Sequence, residues 1–171
     1  LTLITGDGAD NITIDIIGNI DDFVSDTFAG SDSITVFTGG TIQDIRVDST
    51  DGLIFKIDST GAGDIIVDTG NDVDVIDITV VGDIGFVLFD TNAGADNVTI
   101  DVSRTSDYLT INTGAGSDVI DIAIGGTMGA LSLDTLAGDD IVILALMHAA
   151  GYVRTGADDD EIWVNFRKIG V

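Results

Sequence analysis

Apolar and polar residues alternate along this chain in short runs, and each run follows the same punctuation: a Thr, a Gly-rich stretch and an Asp. The pattern reads TGDGADNITI (residues 5–14), TFAGSDSITV (27–36), TNAGADNVTI (91–100), TGAGSDVIDI (113–122), TLAGDDIVIL (135–144) and TGADDDEIWV (155–164). Weaker copies around Ser49 to Gly52 and Thr69 to Ile78 fill the gap, so the motif returns every 20 to 22 residues. Alternation at period 2 predicts strands buried on one face, and the Gly-rich clusters predict the turns between them. A repeat this short cannot bury its apolar face alone, so copies must stack on a shared core. The expectation is an all-β, right-handed parallel β-solenoid of about eight rungs of 20–22 residues, forming one domain over residues 1–171.

Column by column the rungs align on Thr5, Thr27, Ser49, Thr69, Thr91, Thr113, Thr135 and Thr155. Two residues earlier stand Leu3, Ser25, Val47, Val67, Phe89, Ile111, Leu133 and Val153, an apolar column broken once, by Ser25. After the turn come Ile14, Val36, Ile78, Ile100, Ile122, Leu144 and Val164, while the third rung (LIFKID, residues 53–58) reads out of frame. Gly18, Gly40, Gly61, Gly82 and Gly126 mark a second turn, with Arg104 and His148 at the equivalent positions of two rungs. A short third side is expected near Ile20, Ile42, Ile84 and Met128. Strands about 4.8 Å apart give a stack on the order of 40 Å long.

Composition agrees with every-rung pairing. Pro, which would remove a ladder hydrogen bond, is absent. No apolar run approaches a membrane span, so no membrane insertion is expected. The chain opens at Leu1 within a strand and lacks Cys, which suggests a module of a longer or assembling secreted protein.

Charge changes the picture more. Thirty acidic residues face six Lys and Arg, for a net charge of −24, and all but Glu161 of the acids are Asp. With no basic stripe to neutralise phosphates, nucleic acid is excluded as a partner. The short carboxylate suits turns and oxygen-ligand metal sites. One Asp column lies in the first turn: Asp10, Asp32, Asp74, Asp96, Asp118, Asp140 and Asp160. Strand parity leans these carboxylates inward, where partial desolvation demands compensation. Two readings meet that demand: Ca²⁺ held by carboxylates and turn carbonyls, or capping of each turn by its own Asp through backbone N–H groups. A second column, Asp26, Asp48, Asp68, Asp90 and Asp134, points outward as a solvated acidic face open to bridging cations.

TGAGSDVID (residues 113–121) and TGDGADNIT (5–13) resemble the G-G-x-G-x-D-x-U-x nonapeptide of RTX, or hemolysin-type, calcium-binding β-rolls, with Thr for the first Gly. The resemblance implies Ca²⁺ between Gly-Asp turns of neighbouring rungs in a secreted bacterial protein. It assigns ligand roles to Gly8, Asp10, Gly30, Asp32, Gly94, Asp96, Gly116, Asp118, Gly138 and Asp140, to which the column adds Asp74 and Asp160. The motif here comes once per rung and on one side, where RTX rolls carry it every nine residues on both, so a wider cross-section is expected.

Other features carry less. His148, the single His, lacks a nucleophile partner and reads as a turn or packing residue. Arg46 beside Asp26, Asp48 and Asp68 is the one constellation resembling pectate-lyase-like enzymes, which build clefts from long loops that this chain lacks. Asn11 and Asn97 open glycosylation sequons. Outward Thr ranks of the ice-binding kind are missing. The last rung carries Trp163, Arg167 and Lys168 and suggests a contact with a cap, a following domain or a neighbour. The expected function is a noncatalytic, calcium-stabilised extracellular module of a surface-layer, adhesin or filament protein, associating end to end or with neighbouring domains and in reach of cell-surface glycan. The alternative is the solenoid of a secreted polysaccharide-active, lyase-like enzyme.

Overall fold

The computed structural model describes residues 1–166 of the chain, and among them every regular element is a strand and every pairing is parallel. One face stacks β1 (Thr2–Ile4), β3 (Ile20–Thr27), β5 (Thr41–Ser49), β7 (Gly61–Asp68), β9 (Ile84–Asp90) and β11 (Ser106–Asn112) in that order. The other stacks β2 (Asn11–Ile16), β4 (Asp32–Thr38), β6 (Leu53–Ser59), β8 (Val75–Val80) and β10 (Asn97–Val102). In the last rungs β12 (Val119–Asp134) and β13 (Ile141–Arg154) run through both faces without a break, and β14 (Glu161–Phe166) closes the stack on β13. The chain is a parallel β-solenoid of about eight turns.

Period-2 burial fixes the register. Ile34 lies over Ile12, then Phe55, Ile76, Val98, Ile120 and Val142 continue the inward column, nearly all of it fully buried. Each such side chain contributes on the order of 1.5–3 kcal/mol by leaving water. A shift of one residue in any rung would expel its whole apolar set. The two inner faces therefore meet in one continuous core, with Phe23, Phe55 and Phe89 as its largest members.

Two expectations are corrected by this register. LIFKID is in frame: Leu53 sits over Asp32, Phe55 over Ile34 and Ile57 over Val36. The first turn of that rung is one residue shorter, and the shortening is absorbed before the strand begins. The third side is not a strand of its own. Ile20, Ile42, Ile84 and Met128 are buried within the strands of the first face, where the pairing skips one residue after Ile20 and Ile42 to make a corner.

The first turn depends on glycine where rungs approach most closely. Gly116 has φ of +155°, and a Cβ there would lie 1.3 Å from the Gly94 carbonyl oxygen. Only a residue without Cβ fits over its neighbour at that spacing.

Candidate functional site

The inward lean of the first Asp column follows from strand parity, and the structure places these side chains deep in the wall. Asp32, Asp74, Asp96, Asp118 and Asp140 are 0–2% exposed, and Asp10 and Asp160 in the end rungs are half-buried. Six of these seven carboxylates, all but that of Asp10, are used as stitches between rungs. Oδ1 of Asp32 accepts the Asp10 N–H at 2.9 Å, Asp96 that of Asp74 at 2.8 Å, Asp118 that of Asp96 at 2.9 Å, Asp140 that of Asp118 at 3.0 Å and Asp160 that of Asp140 at 3.2 Å. In the shortened third rung Leu53 takes the column position and its N–H donates to Asp74 Oδ1 at 2.6 Å. Capping is therefore real, but its donor belongs to the preceding rung rather than to the turn that carries the Asp.

The second oxygen answers to the Thr column. The hydroxyls of Thr69, Thr91 and Thr135 donate to Oδ2 of Asp74, Asp96 and Asp140, each five residues on. Thr91 and Thr135 also reach the carbonyl oxygens of Thr113 and Thr155 in the next rung, at 3.3 and 3.2 Å. At Thr113 and Asp118 the same two atoms are buried but make no hydrogen bond of good geometry, although the hydroxyl is near enough to hold the Asp118 pKa down. Thr27 Oγ1 and Asp32 Oδ2 are left in the same way. These Thr residues are site residues that column alignment alone did not pair. The signal was present in the sequence as T-x-x-x-x-D.

Burial sets the electrostatics. Loss of water pushes the Asp74 carboxyl up to about 6, against the pull of the Thr69 hydroxyl and the Leu53 amide and with help from the charges of Asp96 and Asp72. Burial likewise lifts Asp96 to about 6, opposed by the Asp74 amide and the Thr91 hydroxyl. Asp118 and Asp140 are raised for the same first reason. The charges that act on these four carboxyls are those of other Asp residues, and they push in the same direction as burial.

The turn glycines bond along the stack. The amides of Gly8, Gly94, Gly116 and Gly138 donate to the carbonyls of Ala29, Ala115, Ala137 and Ala157, and that of Gly30 donates to Asp51 Oδ2. A calcium cage would need several carboxylate and carbonyl oxygens converging on one point. Among the described residues no group of three or more His, Cys, Asp or Glu is so placed. The column instead presents one carboxylate per rung, with its oxygens largely committed to N–H and O–H donors. Among the described residues these side chains do not converge into an inner calcium cage.

The outward acid is arranged differently. Asp26, Asp48 and Asp68 stack in register, as do Asp68 and Asp90, and Asn112 separates Asp90 from Asp134. Arg46 Nη2 lies 3.7 Å from Asp48 Oδ2 and Arg154 Nη1 3.0 Å from Asp134 Oδ2; both guanidinium groups are solvent-exposed, so the pairs are worth little to stability. A third acidic column, Asp22, Asp44 and Asp64, escaped the sequence reading. It caps the corner: Asp44 Oδ1 accepts the Asp64 N–H and Asp64 Oδ1 the Phe86 N–H. Nearby, Asp83 accepts both the hydroxyl and the amide of Thr105, which lower its pKa.

His148 is exposed where β13 pairs with Thr127 between two register shifts. Trp163 is exposed on β14, in register with Ile143. Asn11 and Asn97 are exposed at the first positions of β2 and β10. Arg167 and Lys168 lie outside the described residues. No family model, no curated protein and no solved structure matches the chain.

Proposed function

We propose that this chain is a noncatalytic structural module, a stiff acidic rod that spaces or builds an extracellular bacterial surface-layer, adhesin or filament protein. One observation carries the reading: the repeated motif spends its chemistry on joining one rung to the next. The turn carboxylates of the Asp column join six of the seven rung pairs, and backbone amides of the turn Gly and Thr residues add further bonds along the stack. Parallel ladders on both faces resist bending along the stack, and the outward Asp columns keep neighbouring rods apart at low salt.

Calcium enters this proposal as a counter-ion. Outward carboxylates one strand spacing apart repel by about 1 kcal/mol per pair, and divalent cations relieve that repulsion without a preformed cage. Location is the direct test. Antibodies raised against the chain should label intact cells of the source organism, and labelling that appears only after permeabilisation would overturn the surface role.

A further inference from the structure

We infer that the outer surface of the first face is a docking trough for a basic amphipathic α-helix of a partner protein. Alternation should leave outward positions polar, yet one outward column of this face is mostly apolar. Val24, Arg46, Ile66 and Leu88 stand in register on β3, β5, β7 and β9; Val24 is 36% exposed, and Ile66 and Leu88 are half-buried. Acid walls this column on both sides. Two residues before it stand Asp22, Asp44 and Asp64, and two residues after it Asp26, Asp48, Asp68 and Asp90. Past Asp64 the first wall turns apolar, with Phe86 half-buried beside Leu88 and Tyr108, in register with Phe86, 56% exposed. Between the walls lie two adjoining hollows, one of about 270 Å³ over Val24 and Ile66 and one of about 230 Å³ over Ile66 and Leu88, with Arg46 lining both.

The occupant follows from the spacing and the charge of these columns. β5 and β7 are each paired to a rung on both sides, so an added strand finds no edge here. A helix docks through side chains and needs none. The walls stand four residues apart along each strand, about 13 Å, which admits a helix of about 10–12 Å diameter laid along the stack. Its turns repeat about every 5.4 Å against rungs about 4.8 Å apart, so from Val24 to Leu88 the drift is about 2 Å, within the reach of a Lys or Arg stem. An amphipathic helix presents an apolar stripe with a polar flank on either side, three rows for three columns, whereas an extended segment presents one row. Seven carboxylates against the single guanidinium of Arg46 make those flanks basic. Arg46, 3.7 Å from Asp48, already shows a guanidinium drawn to the wall.

The test uses the full chain and two labelled synthetic peptides of one Lys–Leu composition, roughly 18 residues long so that a helix is not marginal in water. One is ordered as an amphipathic helix and the other is scrambled so that its Leu residues form no stripe. Fluorescence anisotropy at about 0.15 M NaCl, where long-range attraction is screened, should show the ordered peptide binding roughly tenfold tighter. Asp26→Asn combined with Asp48→Asn takes two charges from one wall and should weaken that binding severalfold. Asp58→Asn combined with Asp101→Asn takes the same charge from exposed positions on the other face and should leave it unchanged. Arg46→Leu extends the apolar floor and removes a like charge, so it should tighten binding severalfold; thermal midpoints report that each variant is folded. Equal binding of the two peptides, equal weakening by the two Asn pairs, or no binding at all would overturn the inference. Cell labelling reads location and this experiment reads a contact, so the surface role and the docking trough fail independently.

Discussion

Asp96→Asn isolates the cost of holding a buried charge in the wall. Asn has the same shape and keeps an oxygen for the Asp74 N–H, now 2.8 Å from Asp96 Oδ1. Its amide nitrogen meets the Thr91 hydroxyl, which can turn to accept because it has the Thr113 carbonyl as another acceptor at 3.3 Å. What the substitution removes is ionisation. In the folded chain burial lifts the Asp96 pKa from 3.8 to about 6, which corresponds to about 3 kcal/mol between the two protonation states. Because the folded pKa lies above the unfolded one, folding favours the protonated acid. That contribution is present in full below about pH 4 and is lost as pH rises through about 6. Parent stability should therefore fall between those values, whereas the Asn variant lacks this component of the slope. Urea unfolding at pH 4.5 and pH 8 should show the variant about level with the parent at the lower pH and roughly 2 kcal/mol more stable at the higher. An equal difference at both pH values, or a variant less stable at pH 8, would refute the claim that Asp96 is a strained charge.

Three further outcomes follow from the same geometry. Thr135→Val leaves Asp140 Oδ2 without its hydroxyl donor and should cost about 1–3 kcal/mol by urea unfolding, with no loss if that oxygen finds water. Gly116→Ala drives a Cβ into the Gly94 carbonyl from a positive φ and should cost more than about 2 kcal/mol, seen as a clear drop in thermal midpoint; an unchanged midpoint would mean that the turns are not tightly stacked. Asp118→Ala should lose the same stability in millimolar Ca²⁺ as in excess chelator, and Ca²⁺ and Mg²⁺ should raise the parent's midpoint alike; a loss confined to Ca²⁺ would restore the inner cage.

Repetition made the stacking legible, because eight noisy copies average out local exceptions and parity assigns each column to the core or the surface. Ser25, for example, breaks the apolar column without moving it. The frame of the third rung was hidden because reading forward from Ser49 assumes a turn of fixed length, and only pairing with β4 shows that Leu53 replaces an Asp. The role of the Asp column was hidden for a deeper reason. Its burial could be deduced from parity, but its partner is an N–H about 22 positions away in sequence, and no local rule for turns points there. A carboxylate serving its own turn and one serving the rung before it look identical in a single sequence.

The turns also govern how such a protein changes over generations. Successive rungs differ by 20, 21 or 22 residues, and each discrepancy is taken up at a corner while the inward columns keep their order. The last corner loses two residues through shifts at Thr127 and Ala130, yet Leu131 still meets its counterpart in β13. Recombination between misaligned repeats in the gene would therefore yield chains with one rung more or one fewer, each foldable as made. Length becomes a quantity on which selection can act in steps of about 4.8 Å, with no new core to invent at any step.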